Sequence, residues 1–262
     1  MTRTLVEARA ALAAGEVGAA ELTAAALARA DRYAGYALFI TPLADRARDA
    51  AAAVDRARAA GAPLGPLAGV PVTVKDNIDM AGQVTTPAPR SSPAGSPPRT
   101  PAVARVEAAG AVVLGKTNLH ELAFGGTSVN PFHGTVPNPW APDRIAGGSS
   151  GGSAACVALG VGHASLGTDA AGSVRMPASC CGLVGLKPTH GLVPTRGVLP
   201  TSTEHIDHVG VLVRTVADAR LMLGVLAGPE PADPHSAQRD AGPPAHRDDL
   251  RGVRVGVPEG WF

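Results

Sequence analysis

Along residues 4–60, apolar positions recur at helical spacing in TLVEARAALAAG and again in ELTAAALARADRYA, with Gly15 and Gly35 as stops. The apolar run from Tyr36 to Thr41 reads as a strand, and LADRARDAAAAVDRARAAG predicts a third helix ending at Gly61. Between Gly65 and Asp79 the period falls to two, with Val70, Val72 and Val74 on one face and Pro71, Thr73 and Lys75 on the other. Lys75 therefore stands at the C-terminal end of a buried strand. AVARVEAAGAVVLGKTN predicts a helix, a stop at Gly110 and another strand. Strands alternating with helices favour an α/β layer fold.

Elsewhere the pattern breaks. Residues 85–101 hold six prolines and predict an exposed loop, while residues 120–144 have no sustained period and contain Asn-Pro twice. A loop of that length inside a compact domain is more often functional than not. After Thr189, GLVPTRGVLP and TEHIDHVG look strand-like, and a helix is expected from Thr215 to Ala227. Residues 228–249 are polar and proline-rich and read as a flexible linker within the domain. LRGVRVGVPEGWF begins a strand and stops, so the expectation is a single domain over 1–262, truncated at its C-terminus.

Composition narrows the partners. Hydrophobic residues make up 45% and charged residues 17%, which is ordinary for a globular chain and excludes wholesale disorder. A balance of 23 basic against 22 acidic residues, with 3% aromatics, gives no nucleic-acid surface and favours a small-molecule partner. The N-terminus carries Arg3, Glu7 and Arg9 and lacks a signal-peptide core, and no run nears the roughly 18 apolar residues of a membrane span. A soluble, cytoplasmic protein is expected. Cys156, Cys180 and Cys181 form no CxxC pair and read as reduced core residues.

Candidate chemistry gathers between Ile145 and Thr189, where glycines and hydroxyls surround one short apolar run. Neither GGSSGGS nor GLVGLKPT supplies the GK[ST] of a phosphate-binding loop, and GVGHASLG has Ser165 where a dinucleotide fingerprint needs glycine. G-x-S-x-G occurs at Gly147–Gly151 and Gly148–Gly152, but no buried strand precedes it as a nucleophile elbow requires. Glu204, His205, Asp207 and His208 have weak spacing for a metal site. Lys75 has two readings: an amine that reaches solvent or pairs with Asp76 or Asp79, or a desolvated amine whose lowered pKa makes it a base.

GGSSGG and GTDAAGSVRMPASCCGLVGLKPT, preceded by GVPVTVKDNID and KTNLHELAFGGTS, resemble the amidase signature family, and the likeness runs through nearly the whole chain. The resemblance implies a mixed, largely parallel α/β sheet flanked by helices and a Ser-cisSer-Lys triad. By position the nucleophile matches Ser173, the bridging serine Ser149 and the base Lys75. Backbone N–H groups over Ala170, Ala171, Gly172 and Ser173 match the oxyanion hole. Ser150, Asp169 and Arg175 match supporting positions, and Ala123, Phe124 and Gly125 match the acyl-pocket lining. No metal or organic cofactor is implied.

The implied activity is cleavage of a small carboxamide. The resemblance also covers the glutaminase-like component of tRNA-dependent amidotransferases, which implies partner subunits; otherwise a homodimer is expected. A truncated, non-catalytic interaction module is the remaining alternative. Ala171 stands where the family commonly has glycine, so a requirement for positive φ there would displace the hole. Family members also continue for some two hundred further residues, which complete the sheet and much of the pocket.

Overall fold

A computed structural model describes residues 2–86, 100–201, 206–237, 249–254, 256 and 260. Thr4 starts helix α1 (Leu5–Ala14) with a capping box, its hydroxyl accepting from Glu7 N while the Glu7 carboxylate accepts from Thr4 N, and left-handed Gly15 ends it. Helix α2 (Ala19–Arg32), strand β1 (Phe39–Pro42), helix α3 (Ala44–Ala59) and strand β2 (Pro71–Lys75) follow. Helix α4 (Pro101–Ala108) begins on the proline that fits a first turn and leads into β3 (Val112–Thr117). Then come α5 (Gly151–Ala158), β4 (Ala164–Asp169), α6 (Arg175–Cys180), β5 (Val184–Leu186), β6 (His208–Val213) and α7 (Val216–Leu226).

The six strands form one mixed sheet in the order β1-β3-β2-β4-β6-β5, flanked by helices as expected. Parallel pairing is confined to the centre, β3–β2 and β2–β4, and the three outer pairings are antiparallel. A central parallel strand is covered on both faces, so β2, β3 and β4 are buried at every position. Val72, Val74, Val112, Leu114, Leu166, Leu212 and Met222 belong to the core around them. No helix among the described residues is long and apolar enough to cross a membrane.

Several expectations are corrected. The first strand begins at Phe39 because Ala34–Tyr36 form a 3-10 turn and Ala37 is left-handed. The proline-rich loop is not exposed at its ends: Thr85 and Thr100 are buried, with Lys116 Nζ donating to Val84 O and Thr85 Oγ1 and Thr100 Oγ1 donating to Asp79 O. Residues 87–99 lie outside the described residues. GLVPTRGVLP is not a strand, since Gly191 and Gly197 sit at positive φ and among the described residues Val198 alone bridges, to Ile78, whereas TEHIDHVG runs into β6 at His208.

Of the expected linker, residues 228–237 are tied down, and 238–248 lie outside the described residues. Buried Asp233 accepts from Thr195 N and Arg196 N, while Gly228 N and Ala237 N donate to Leu192 O and Gly191 O. Of the expected strand LRGVRVGVPEGWF, residues 250–254 form a turn and coil, and residues 255, 257–259, 261 and 262 lie outside the described residues. Cys156 and Cys181 are buried free thiols, but Cys180 is exposed at the end of α6.

Candidate active site

Lys75 is the last residue of β2 and wholly buried. Its Nζ donates to Ser149 Oγ at 2.7 Å and Thr168 Oγ1 at 2.8 Å, and Asn77 Nδ2 also donates to Thr168 Oγ1 at 3.0 Å. Neither bland reading of the lysine holds. It does not reach solvent, and the neighbouring acids are engaged elsewhere: Asp76 with Thr86 and Lys116, Asp79 with Thr85. Burial lowers its pKa from the usual 10.5 to about 7, against the opposing charges of Asp207 and Asp169. A substantial neutral fraction, with a lone pair to accept a proton, therefore exists near neutrality.

The Gly148–Ser149 peptide is cis. The Ser149 carbonyl accepts from His120 N at 3.0 Å and Ser128 Oγ at 3.2 Å, and Ser128 Oγ accepts from Gly151 N at 2.9 Å. This packing explains the glycine run. A Cβ at Gly151 would lie 2.3 Å from Ser128 Oγ, and one at Gly152 would lie 2.4 Å from Asn118 O. Glycine here is a condition of close approach between the serine loop and residues 118–128.

Ser173 lies on the turn between β4 and α6, half-buried. The turn is built around the Asp169 carboxylate, which accepts from the N–H groups of Gly172, Val174 and Arg175 and from Arg175 Nε and Nη2. Burial alone would push this carboxyl up, but Arg175 and the backbone donors outweigh it and hold it at about 2. The acid of this pair is wholly buried, whereas the Arg175 side chain is 51% exposed. Ser150 N donates to Ser173 O at 3.1 Å and Ser150 Oγ to Thr168 O at 3.3 Å, joining the two serine loops. Among the described residues the Ser173 hydroxyl takes part in no hydrogen bond.

Two expectations about this turn change. The positive φ belongs to Gly172, at 127°, and not to Ala171, so the Ala171 methyl is free of the strain expected of it. The Gly172 N–H is committed to Asp169, which removes it as an oxyanion donor. The N–H groups of Ala171 and Ser173 have no acceptor among the described residues, and Ala170 follows the last residue of β4.

The acyl-pocket candidates divide. Ala123 is buried at positive φ, Gly125 backs onto the His120 ring, and Phe124 is 77% exposed and so not core. Met176 sits beside both Gly126 and Gly172, linking this segment to the nucleophile turn. Thr168, Ser128, Asn77 and His120 are site residues that sequence reasoning missed. All four stand inside the motifs that carry the resemblance, Asn77 in GVPVTVKDNID, His120 and Ser128 in KTNLHELAFGGTS, and Thr168 in GTDAAGS. A cavity of about 1030 Å³ lined by Arg3, Tyr33, Trp140 and Arg214 includes none of these residues, so volume does not locate the chemistry. Among the described residues no cluster of three metal-ligating side chains occurs; Glu204 and His205 lie outside them, and the ring of His208 meets Asp169 O.

Comparison with known proteins bears on this geometry. The family model described as Amidase matches residues 21–262. The chain is 43% identical to the A subunit of glutamyl-tRNA(Gln) amidotransferase from Chloroflexus aurantiacus, covering 99% of this chain and 54% of the relative. It is 46% identical to the protein of the same name from Anaeromyxobacter sp. (strain K), covering 98% and 53%. Among solved structures, an inhibitor-bound vestigial complex tied to the origins of an s-triazine catabolic enzyme superposes with a TM-score of 0.87 at 39% identity, covering 92% of this chain and 53% of that one. A 6-aminohexanoate cyclic dimer hydrolase in complex with substrate gives 0.81 at 33%, covering 92% and 50%. The chain thus spans about half the length of the curated relatives it matches. With the family model covering residues 21–262, the chain belongs to the amidase family, the one its GGSSGG and GTDAAGS motifs resemble.

Proposed function

We propose that this chain carries the amide-cleaving centre of a hydrolase. Ser173 Oγ attacks the carboxamide carbon as its proton passes to Ser149 Oγ, whose own proton passes to the neutral amine of Lys75. The tetrahedral adduct collapses as the relay returns a proton to the nitrogen, the C–N bond breaks, and ammonia or an amine leaves. Water then attacks the acyl-enzyme, giving its proton to the same relay, which returns a proton to Ser173 Oγ as the ester C–O bond breaks and the acid leaves. The observation that carries this reading is the 2.7 Å contact between Lys75 Nζ and Ser149 Oγ, both wholly buried. A serine hydroxyl becomes a competent nucleophile only when a neighbouring base takes its proton.

Ala171 and Ser173, with Ala170, supply the oxyanion donors in this reading. A preorganised donor of this kind contributes about 3 to 4 kcal/mol to the transition state. The relay uses side chains alone, with no cofactor. A homodimer is the assembly proposed with a small amide substrate.

A second reading is favoured by the names of the relatives at 43% and 46% identity. In it the amide is glutamine, and the chain works as the glutaminase-type component of a tRNA-dependent amidotransferase, beside partner subunits. The third is a non-catalytic fragment. Hydroxylamine trapping of an acyl group from simple amides and from glutamine separates them. Trapping that is lost in Ser173→Ala supports the hydrolase, and glutamine alone as donor supports the amidotransferase component. If neither this chain nor one extended at its C-terminus transfers an acyl group, both enzyme readings fail.

A further inference from the structure

Met176 is the second residue of α6, and its N–H donates to Gly172 O at 2.7 Å, which closes a helical turn over residues 172–176. Ser173 and Met176 stand three positions apart on that turn, so their side chains are neighbours on one face. The Met176 side chain lies over the turn: a Cβ at Gly172 would come within 3.2 Å of its Cγ and 3.3 Å of its Cε. Its far end reaches Gly126, where a Cβ would come within 3.4 Å of Cε, and the Gly126 carbonyl carbon lies 3.0 Å from a Cβ placed at Gly148. Met176 thus spans from the Ser173 turn to the point where residues 126–128 meet the Ser149 loop, and it is 41% exposed there. The geometry points to Met176 as a specificity-determining residue that packs against the acyl group of the amide, so that the site takes carboxamides with an apolar alkyl or aryl acyl chain in preference to glutamine. The inference rests on the hydrolase reading of Ser173 proposed above.

The two segments that Met176 joins carry little charge. Apart from His120, the charged side chains over residues 120–129 and 170–180 are Glu121 and Arg175. Arg175 gives Nε and Nη2 to the buried Asp169 carboxylate, so the one cation on these segments that could meet the α-carboxylate of glutamine already has a bidentate partner. The His120 ring meets Thr127 Oγ1 at 3.0 Å and backs onto Gly125. Apolar side chains by contrast stand uncovered on the same stretch, Leu122 at 51%, Phe124 at 77% and Val129 at 45%. Small-molecule sites bind through apolar walls, with a few polar groups placed to orient the reacting atom. An unbranched thioether adapts to acyl chains of differing shape, and its sulfur makes favourable contacts with an aromatic ring.

The test has a binding arm and a kinetic arm. The whole chain carrying Ser173→Ala and 13C-methyl methionine shows 4 methionine signals, with that of Met176 assigned from Met176→Leu. Hexanamide and benzamide are expected to shift the Met176 signal saturably, and glutamine at the same concentrations is expected to leave it in place. In the chain with Ser173 intact, Met176→Gln is expected to lower hydroxylamine trapping from hexanamide by about tenfold while trapping from acetamide is unchanged, and Met176→Leu should keep the parent's preference. A Met176 signal that ignores hexanamide and benzamide, or answers glutamine equally, overturns the inference. Equal loss of hexanamide and acetamide transfer in Met176→Gln also overturns it, since that marks a distorted turn and not a lost acyl contact. A selective shift without any Ser173-dependent acyl transfer in the parent overturns the hydrolase reading and leaves the apolar site beside Met176 supported.

Discussion

Arg175 grips the carboxylate of Asp169 with Nε at 3.0 Å and Nη2 at 2.8 Å, while the same two oxygens gather the backbone N–H groups that shape the turn around Ser173. A bidentate pair of this kind is strong and directional. Asp169→Asn turns an all-acceptor group into one that presents N–H to N–H. The variant should lose about 2 kcal/mol of stability and most Ser173-dependent acyl transfer, measured by thermal unfolding and hydroxylamine trapping. Because the folded carboxyl sits at about 2, below its unfolded value, its stabilisation is complete above about pH 4. It is lost as pH falls through about 2, and acid unfolding of the variant should lack this component.

Lys75 works in the opposite direction. Its folded pKa of about 7 lies below the ordinary 10.5, so between those values the unfolded chain binds a proton that the folded chain does not. Stability should rise with pH across that window, by a total on the order of 5 kcal/mol. Lys75→Met should remove the rise and abolish acyl transfer without lowering the melting temperature at pH 7. Paired unfolding curves at pH 7 and pH 10 test both points.

Two glycine substitutions should have opposite signs. Gly→Ala in a helix interior ordinarily stabilises by about 0.5 to 1 kcal/mol, and Gly224 on α7, with nothing within 4 Å of a new Cβ, should follow that rule. Gly151→Ala on α5 should instead cost about 1 to 3 kcal/mol, because the methyl collides with Ser128 Oγ. Urea unfolding of the two variants beside the parent decides it.

Lys116 and Asp76 form a second buried pair, N to O 3.3 Å, with both side chains 0% exposed. Lys116→Met leaves Asp76 with its charge and only Thr86 as donor among the described residues, at an expected cost of about 3 to 5 kcal/mol. Adding Asp76→Asn should recover a measurable part of that loss. A double variant no more stable than the single would show that the pair is not coupled.

Local rules carried much of the fold. The period of two ending at Lys75 and the stops at Gly15 and Gly110 depend on near neighbours, so they were legible in the chain itself. The relay candidates Lys75, Ser149 and Ser173 were legible through motifs, and the structure brings Lys75 to Ser149. What stayed hidden depends on partners far along the chain. Asp233 clasps Thr195 and Arg196, and Ser128 reaches Ser149 and Gly151, through contacts that no local pattern encodes. The exposure of Phe124 and Cys180 likewise depends on which surfaces the fold covers.

Strands β2 and β4 lie side by side although some ninety residues separate them, Val72 aligning with Ala164 and Val74 with Leu166. Pairing of such remote segments carries a large loop-closure cost and places the chain among slow folders. Lys75 meets Ser149 and Thr168 only once that long crossover has closed. A refolding population therefore holds no partly armed molecules, and recovery of acyl transfer should keep the same clock as formation of the sheet.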